Sequence, residues 1–300
     1  MLSKINKKLK ALVHKTPILL NFFLRRRFKV EIQLMKGKHK NENSHPSIIH
    51  FSLNKAATQH VKKVLNRCAT KNGIVPVHIN EYAFYTKHPY LTGLNAEQMR
   101  DYHHLFKPTG YLYSAFGGFV QGIPELQKYK VILMVRDPRD LVVSSYYSIS
   151  YSHSTPPKSS SRYQIFSQRR QAAAQMTIDE YAISESQRFF TILSRYKTLL
   201  LDRYPHVYLT SYEEMTSDYK KWLKDLLNAC DLNISDALFQ TLITENQRLQ
   251  PKKEDIHQHI RKGKPGDHKD KLNPETIAYL NEKFSSLFES FADVWNFNQN

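Results

Sequence analysis

Arg136 and Ser144 stand eight residues apart in the stretch Val131–Ser148, VILMVRDPRDLVVSSYYS. Asp137 is a favoured N-cap, and Pro138 suits the first helical position, where its missing N–H costs nothing. The stretch therefore predicts a buried strand ending at Arg136, a capped turn, and a helix that carries Ser144. A guanidinium at a strand's carboxyl end, a hydroxyl on the next helix and the helix N-terminus between them make a place for a phosphate-like anion.

Two other stretches offer the same chemistry. Asn54-Lys55-Ala56-Ala57-Thr58-Gln59 joins the apolar run Ser47–Leu53 to a helical pattern at Val61, Val64, Leu65 and Cys68 that closes at Asn72-Gly73. Lys55 and Thr58 thus fall where backbone amides and a positive helix end can cradle an anion. The loop is no Walker A sequence, because its glycines and the Gly-Lys-Ser/Thr ending are absent. Far along the chain, Arg261-Lys262-Gly263 and Gly266-Asp267-His268-Lys269 set cations beside unobstructed backbone. For proton transfer the candidates are His78 and Glu81, at the carboxyl end of the strand pattern Ile74–Ile79, where an open parallel sheet collects its functional groups. The adjacent His103 and His104 are poorly spaced for ligands on one helix face, so no metal site is expected.

The elements that must hold these residues alternate. Strands are expected at Ser47–Leu53, Ile74–Ile79, Gly110–Phe116, Val131–Val135 and His206–Thr210, and helices after the first, fourth and fifth of them. Residues 82–107 read as irregular, aromatic cover over the sheet, and Ile123–Tyr129 as a short helix. Tyr151–Gln171, with Pro-Pro and a serine run, reads as a long mobile loop of the kind that forms lids. Thr177-Ile-Asp-Glu180 is a capping box opening a long helix to Leu201. Asp218–Cys230, Ile234–Gln247 and a last segment capped at Asn273-Pro274 complete the helices. The class is α/β, with a central, mostly parallel sheet flanked by helices in three layers.

Three hundred residues with 41% apolar content suffice for one large domain. The formal charge is +17, a balance that invites nucleic acid, a membrane surface or an anionic small molecule. Twelve Lys/Arg and two Glu lie in residues 1–45, a net +10, which leaves a moderately basic body of +7. That extension alternates cations with Leu, Ile and Phe and fits either a segment on an anionic membrane surface or one packed on the body. Asn41–Pro46 is read as the linker into a domain of residues 46–300. Pro17–Leu24 is too short to span a bilayer, which takes roughly 20 residues. Cys68 and Cys230 do not make a disulfide framework and favour a reducing cytosol.

Taken together, the three anion sites resemble those of the sulfotransferases that use 3′-phosphoadenosine 5′-phosphosulfate. Arg136 with Ser144 and the intervening Asp-Pro-Arg-Asp is similar to their 3′-phosphate motif, and Arg261-Lys262-Gly263 to the loop that grips the same phosphate. Asn54–Thr58 resembles their 5′-phosphosulfate loop, and Tyr212-Glu213-Glu214-Met215 falls where the family holds adenine. The resemblance runs from about Ile48 to Phe291. It implies a P-loop-like fold and a donor site comprising Lys55, Ala57, Thr58, Gln59, His60, Arg136, Ser144, Tyr212, Arg261, Lys262 and Gly263. The chain departs from the family pattern at several points. Asn54 replaces a proline, Ala56-Ala57 replace Ser-Gly, Gln59 a threonine, His60 an aromatic residue and His268 a tryptophan. No histidine lies between Gly110 and Tyr129, where cytosolic relatives carry their base, so Glu81, with His78 second, takes that role.

The expected reaction is sulfuryl transfer from this donor to a hydroxyl or amine, with 3′-phosphoadenosine 5′-phosphate (PAP) as product, Lys55 neutralising leaving-group charge, and no metal required. The acceptor is a small molecule, glycan or lipid, with Tyr82, Phe84, Tyr85, Tyr90 and the 151–171 segment shaping its pocket. A cytoplasmic protein without a specific nucleic-acid partner is expected, with peripheral membrane contact through residues 1–45 if that segment lies on a bilayer. Rival readings are a kinase-like P-loop enzyme, which needs ATP and Mg²⁺, and a basic nucleic-acid or membrane-surface module, which predicts steep salt dependence.

Overall fold

Five parallel strands in the order β2-β3-β1-β4-β5 form the sheet of the protein, seen in a computed structural model. The structure describes residues 17–295, apart from 154, 157, 159, 161, 162, 250, 252 and 257–259; residues 1–16 of the basic extension therefore lie outside the described part. The strands are β1 (Ile48–Ser52), β2 (Val75–Val77), β3 (Tyr111–Phe116), β4 (Lys130–Val135) and β5 (Tyr208–Ser211). The α-helices of six residues or more, in chain order, are α1 (Pro17–Arg27), α2 (Lys29–Met35), α3 (Thr58–Lys71), α4 (Ile79–Tyr85), α5 (Pro138–Tyr147), α6 (Tyr163–Ala174), α7 (Ile178–Tyr196), α8 (Tyr212–Ser217), α9 (Tyr219–Ala229), α10 (Asp236–Leu249) and α11 (Pro274–Ser290).

The sheet's middle is apolar because it is covered on both faces. Every residue of β1 and all of β4 but Lys130 are buried, as near-continuous hydrophobic strands of a parallel sheet must be. The strand register then fixes the site. Ile48 pairs with Lys130 and Ser52 with Met134, so β1 and β4 end side by side. The loop that opens at Asn54 and the arginine that follows β4 consequently emerge on one edge.

Several expected elements change. The second strand is shorter than its apolar pattern, ending at Val77, and Glu81 sits in the first turn of α4 rather than in a loop. The expected lid holds α6 over Tyr163–Ala174, and the chain leaves α5 through a π-helical turn over Ser148–Ser152. Pro156-Pro157 and the serines interrupt the pattern only locally, while Gln-Arg-Arg-Gln-Ala-Ala-Ala has the propensity to carry a helix. Residues 82–107 contain single helical turns as well as irregular backbone.

The described part of the basic extension is tethered to the body. Phe28 is 1% exposed, its ring against Tyr82 at 5.4 Å and Tyr85 at 6.2 Å. Glu31 is buried and accepts from the His78 backbone N–H at 2.6 Å. Through Asn41–Pro46, Asn41 donates to the Gly110 carbonyl at 2.6 Å and Asn43 to that of Asn72 at 2.7 Å. Composition reads such residues as a linker, but here the asparagine amides act as clamps on neighbouring backbone.

Candidate functional site

The loop after β1 is shaped by its own backbone. Ala56 N–H returns to the Leu53 carbonyl at 3.0 Å, and Thr58 Oγ1 donates to the same carbonyl at 2.8 Å. Lys55 and Ala57 both take positive φ, 79° and 54°, a conformation that costs an L-residue roughly 1–2 kcal/mol. No side chain caps α3. The N–H groups of Thr58 and Gln59 are left to an anion at the helix's positive end, while that of His60 donates to the Ala57 carbonyl at 2.9 Å.

Two cations, half-buried Lys55 and buried Arg136, meet behind this loop. Lys55 Nζ donates to Ser148 Oγ at 2.8 Å, and burial, reinforced by the nearby Arg136 charge, pulls its pKa down to about 8. Arg136, 7% exposed, donates from Nη1 to the Lys55 carbonyl at 3.1 Å and from Nη2 to Asp140 at 3.3 Å. Its guanidinium lies 4.2 Å over the ring of Tyr212. Burial works against its charge, and Asp140, together with Tyr212 and Glu213, more than restores it. Its Nε is buried without a protein partner. A buried guanidinium with one unmatched N–H, backed by cationic and hydroxyl groups, fits a phosphate-like anion.

The C-terminal loop reaches the same place through Asp140. That carboxylate, fully buried, accepts from Gly266 N–H at 2.7 Å, His268 N–H at 3.0 Å and His268 Nδ1 at 2.7 Å. Gly266 holds a φ of 79°, a left-handed conformation that favours glycine, although a Cβ there would meet nothing within 4 Å. Arg261 stacks 4.2 Å over Tyr147 of α5 and pairs with Asp267 and Glu254. Lys262 pairs with Asp267 at 3.1 Å and with Asp270. The two cations of Arg-Lys-Gly are thus held by local acids at the mouth of the site.

One cavity of about 900 Å³ takes in every donor-site residue expected from the sequence, from Lys55 to Gly263, together with Glu81. His60, standing where an aromatic was expected, has Nε2 3.1 Å from the Tyr219 hydroxyl, and burial lowers its pKa to about 4. It is a neutral ring. Phe84, Tyr85 and Tyr90 line the cavity, while Tyr82 packs instead against Phe28.

The two expected bases separate. Glu81 faces the cavity, paired with Arg27 and, at 2.6 Å, with Lys62. Burial alone would raise its carboxyl, but Lys62 and Arg27 bring it below the ordinary carboxylate value. His78 does not line the cavity: its ring faces the Ser114 carbonyl at 3.0 Å and Asn66 at 3.3 Å. Burial lowers its pKa to about 4. Sequence reading missed Ser148, Asp140, Lys62 and Arg27. Ser148 had a signal, lying one helical turn beyond Ser144 on the same face; Arg27 and Asp140 act through contacts that local patterns do not encode.

The chain belongs to the sulfotransferase domain family, whose model matches residues 119–292. It is accordingly an enzyme of sulfuryl transfer. The mouse sulfotransferase SULT7A1, solved with PAP, superposes with a TM-score of 0.52 at 16% identity over 89% of this chain and 91% of that one, which places the two in one fold. The sulfotransferase STF9 from Mycobacterium avium gives a TM-score of 0.49 at 8% identity over 90% of this chain and 81% of its own. A retinol dehydratase complexed with androsterone and inactive cofactor PAP gives 0.46 at 14% identity, over 83% and 81%. No curated protein sequence matches the chain.

Proposed function

We propose that the donor is 3′-phosphoadenosine 5′-phosphosulfate and that the acceptor is a hydroxyl or amine of a small organic molecule, glycan or lipid. The observation that carries this reading is the buried Arg136 guanidinium, with its unmatched Nε, joined through the Lys55 carbonyl to the loop at the start of α3. Arg136, Ser144, Arg261, Lys262 and Gly263 hold the 3′-phosphate. Lys55, Ala57, Thr58 and Gln59 hold the 5′ group, and His60 and Tyr212 flank the base. Bound there, the donor supplies the sulfuryl group and leaves as PAP.

The chain's own residues do the rest. Glu81, ionised and facing the cavity, takes the acceptor proton as the new sulfur–oxygen or sulfur–nitrogen bond forms, a contribution of roughly 10²–10⁴-fold. Lys55 Nζ, carried on a side chain steered by Ser148, neutralises the charge that builds on the oxygen of the breaking bond. Arg136 and the C-terminal loop fix the register. His78 supports α4 from behind.

The domain of residues 46–300 carries this chemistry. Among the described residues no helix is long and apolar enough to cross a membrane. The free, buried Cys68 and Cys230 support a reducing compartment. Phe22, 61% exposed on α1 beside exposed Arg25 and Arg26, supports peripheral contact with an anionic bilayer.

Thermal shift of the full chain with PAP, ATP and ADP tests the donor: PAP should stabilise at concentrations where the others do not. Lys55→Ala should slow transfer with PAP binding largely intact, whereas Arg136→Ala should weaken PAP binding. Wild-type activity in either variant, or a preference for ATP, sinks the assignment.

A further inference from the structure

The cavity's charge is lopsided: ten lysines and arginines line it among the described residues, against one carboxylate, Glu81. Part of that excess belongs to the donor. Lys55, Arg136, Arg261 and Lys262 are the donor-directed cations, and the last three already have Asp140, Asp267, Glu254 and Asp270 as buried or local counter-ions.

Around the rest of the cavity a different ratio recurs. Three carboxylates pair with its cations, Glu81 lining it and Glu185 and Glu245 behind it, and each is shared by two: Glu81 by Arg27 and Lys62, Glu185 by Arg169 and Arg188, and Glu245 by Lys63 and Arg67. Each trio carries one uncompensated positive charge. Arg195 adds another. It lies half-buried on the face of α7 that brings Arg188, Phe189, Ile192 and Arg195 to the cavity, and it has no carboxylate within ion-pair distance among the described residues. A cleft lined by one sign of charge between low-dielectric walls concentrates ions of the other sign.

We infer that the acceptor is itself an anion: it carries a carboxylate, sulfate or phosphate besides the group that is sulfated, and Arg195 receives that charge. Phe84, Tyr85, Tyr90, Phe189 and Ile192 line the same cavity and offer apolar surface to the apolar or sugar-ring body of such an acceptor. The inference rests on the assignment of Lys55, Arg136 and Arg261 to the donor, since only then is the remaining charge left for the acceptor.

The test is equilibrium binding to the full chain saturated with PAP, comparing 4-nitrophenyl β-D-glucuronide with 4-nitrophenyl β-D-glucoside, which differ in one carboxylate. The glucuronide should bind about tenfold tighter at low salt, and added salt should erode the difference. Arg195→Ala should abolish the preference, Arg195→Lys should largely restore it, and neither should change the affinity for PAP. A glucuronide that binds no tighter than the glucoside, undetectable binding of both included, overturns the inference. So does an Arg195→Ala variant that loses PAP as much as it loses the glucuronide, because the charge would then serve the donor. Failure of PAP itself to bind sinks the donor assignment instead, and is read in the first titration before either sugar is added.

Discussion

Asp140 and His268 are 128 residues apart in the chain, and the carboxylate of the first accepts from the ring Nδ1 of the second at 2.7 Å. The same carboxylate accepts from two backbone N–H groups of the C-terminal loop and from Arg136. One buried side chain therefore sets the distance between the two halves of the 3′-phosphate grip. Burial would raise its pKa, but hydrogen bonds from His268 and the charge of Arg136 hold it well below the usual carboxylate range.

Replacing Asp140 by alanine leaves Arg136 buried without its counter-ion and frees Gly266–His268. The expected loss is roughly 3–5 kcal/mol of unfolding free energy, by analogy with other broken buried pairs, together with weakened PAP binding. Urea denaturation and PAP titration check both. Because the folded pKa of Asp140 is depressed, its stabilisation is complete above the unfolded carboxyl value and is lost as pH falls through the folded one. The wild type's acid limb of stability, below about pH 4, should flatten in Asp140→Asn.

Lys55 gives a limb at the other end of the scale. Its pKa is about 8, so the ammonium is present below that pH and is lost above it. If Lys55 must be charged to stabilise the leaving group, kcat/KM for the donor, which reports the free enzyme, is level near neutrality. It then drops about tenfold per pH unit above 8. Lys55→Arg should lower the plateau and remove this limb; a limb that persists belongs to another group.

Ala57 occupies the position of a family glycine with φ at 54°. Glycine adopts this conformation without the Cβ penalty, so Ala57→Gly should stabilise the loop by up to about 1 kcal/mol, read as a rise of about 2 °C in Tm. PAP affinity should be retained, since the amides at the start of α3 keep their direction. A fall in Tm would show that the alanine methyl contributes more by packing than its backbone strain costs.

The strand–helix junctions were legible because their signals are local. The apolar run before Arg136, the Asp-Pro cap and the capping box at Thr177 and Glu180 each fall where expected, and both boxed side chains make their reciprocal bonds. Parallel pairing then brings Lys55 to Arg136 almost as a corollary of strand order. What the sequence hid depends on distance along the chain. Asp140 reads as an ordinary first-turn acid on a helix, and only its partners at 266 and 268 reveal a buried bracket. His78 and Glu81 are both candidates as strand-end groups, with Glu81 ranked first, and the early end of β2 and the start of α4 turn His78 inward and Glu81 to the cavity. The N-terminal segment was ambiguous because its basic character says nothing of Phe28, which is buried against α4.

That burial places Arg27 at Glu81, where its guanidinium also lies 5.1 Å from the ring centroid of Tyr85. Arg27 touches no reacting atom in the proposed reaction and is a positioning residue. It and Lys62 hold the carboxylate ionised and aimed. With Arg27→Ala the carboxyl loses one of its two cations, so its pKa rises and the acid limb of kcat against pH moves upward; activity that needs ionised Glu81 is present above that pKa and lost below it. KM for the acceptor should rise with little change in PAP affinity, and Arg27→Lys should recover the limb. A purely structural Arg27 would lower Tm without moving the pH profile, an outcome that would separate packing of Phe28 from control of Glu81.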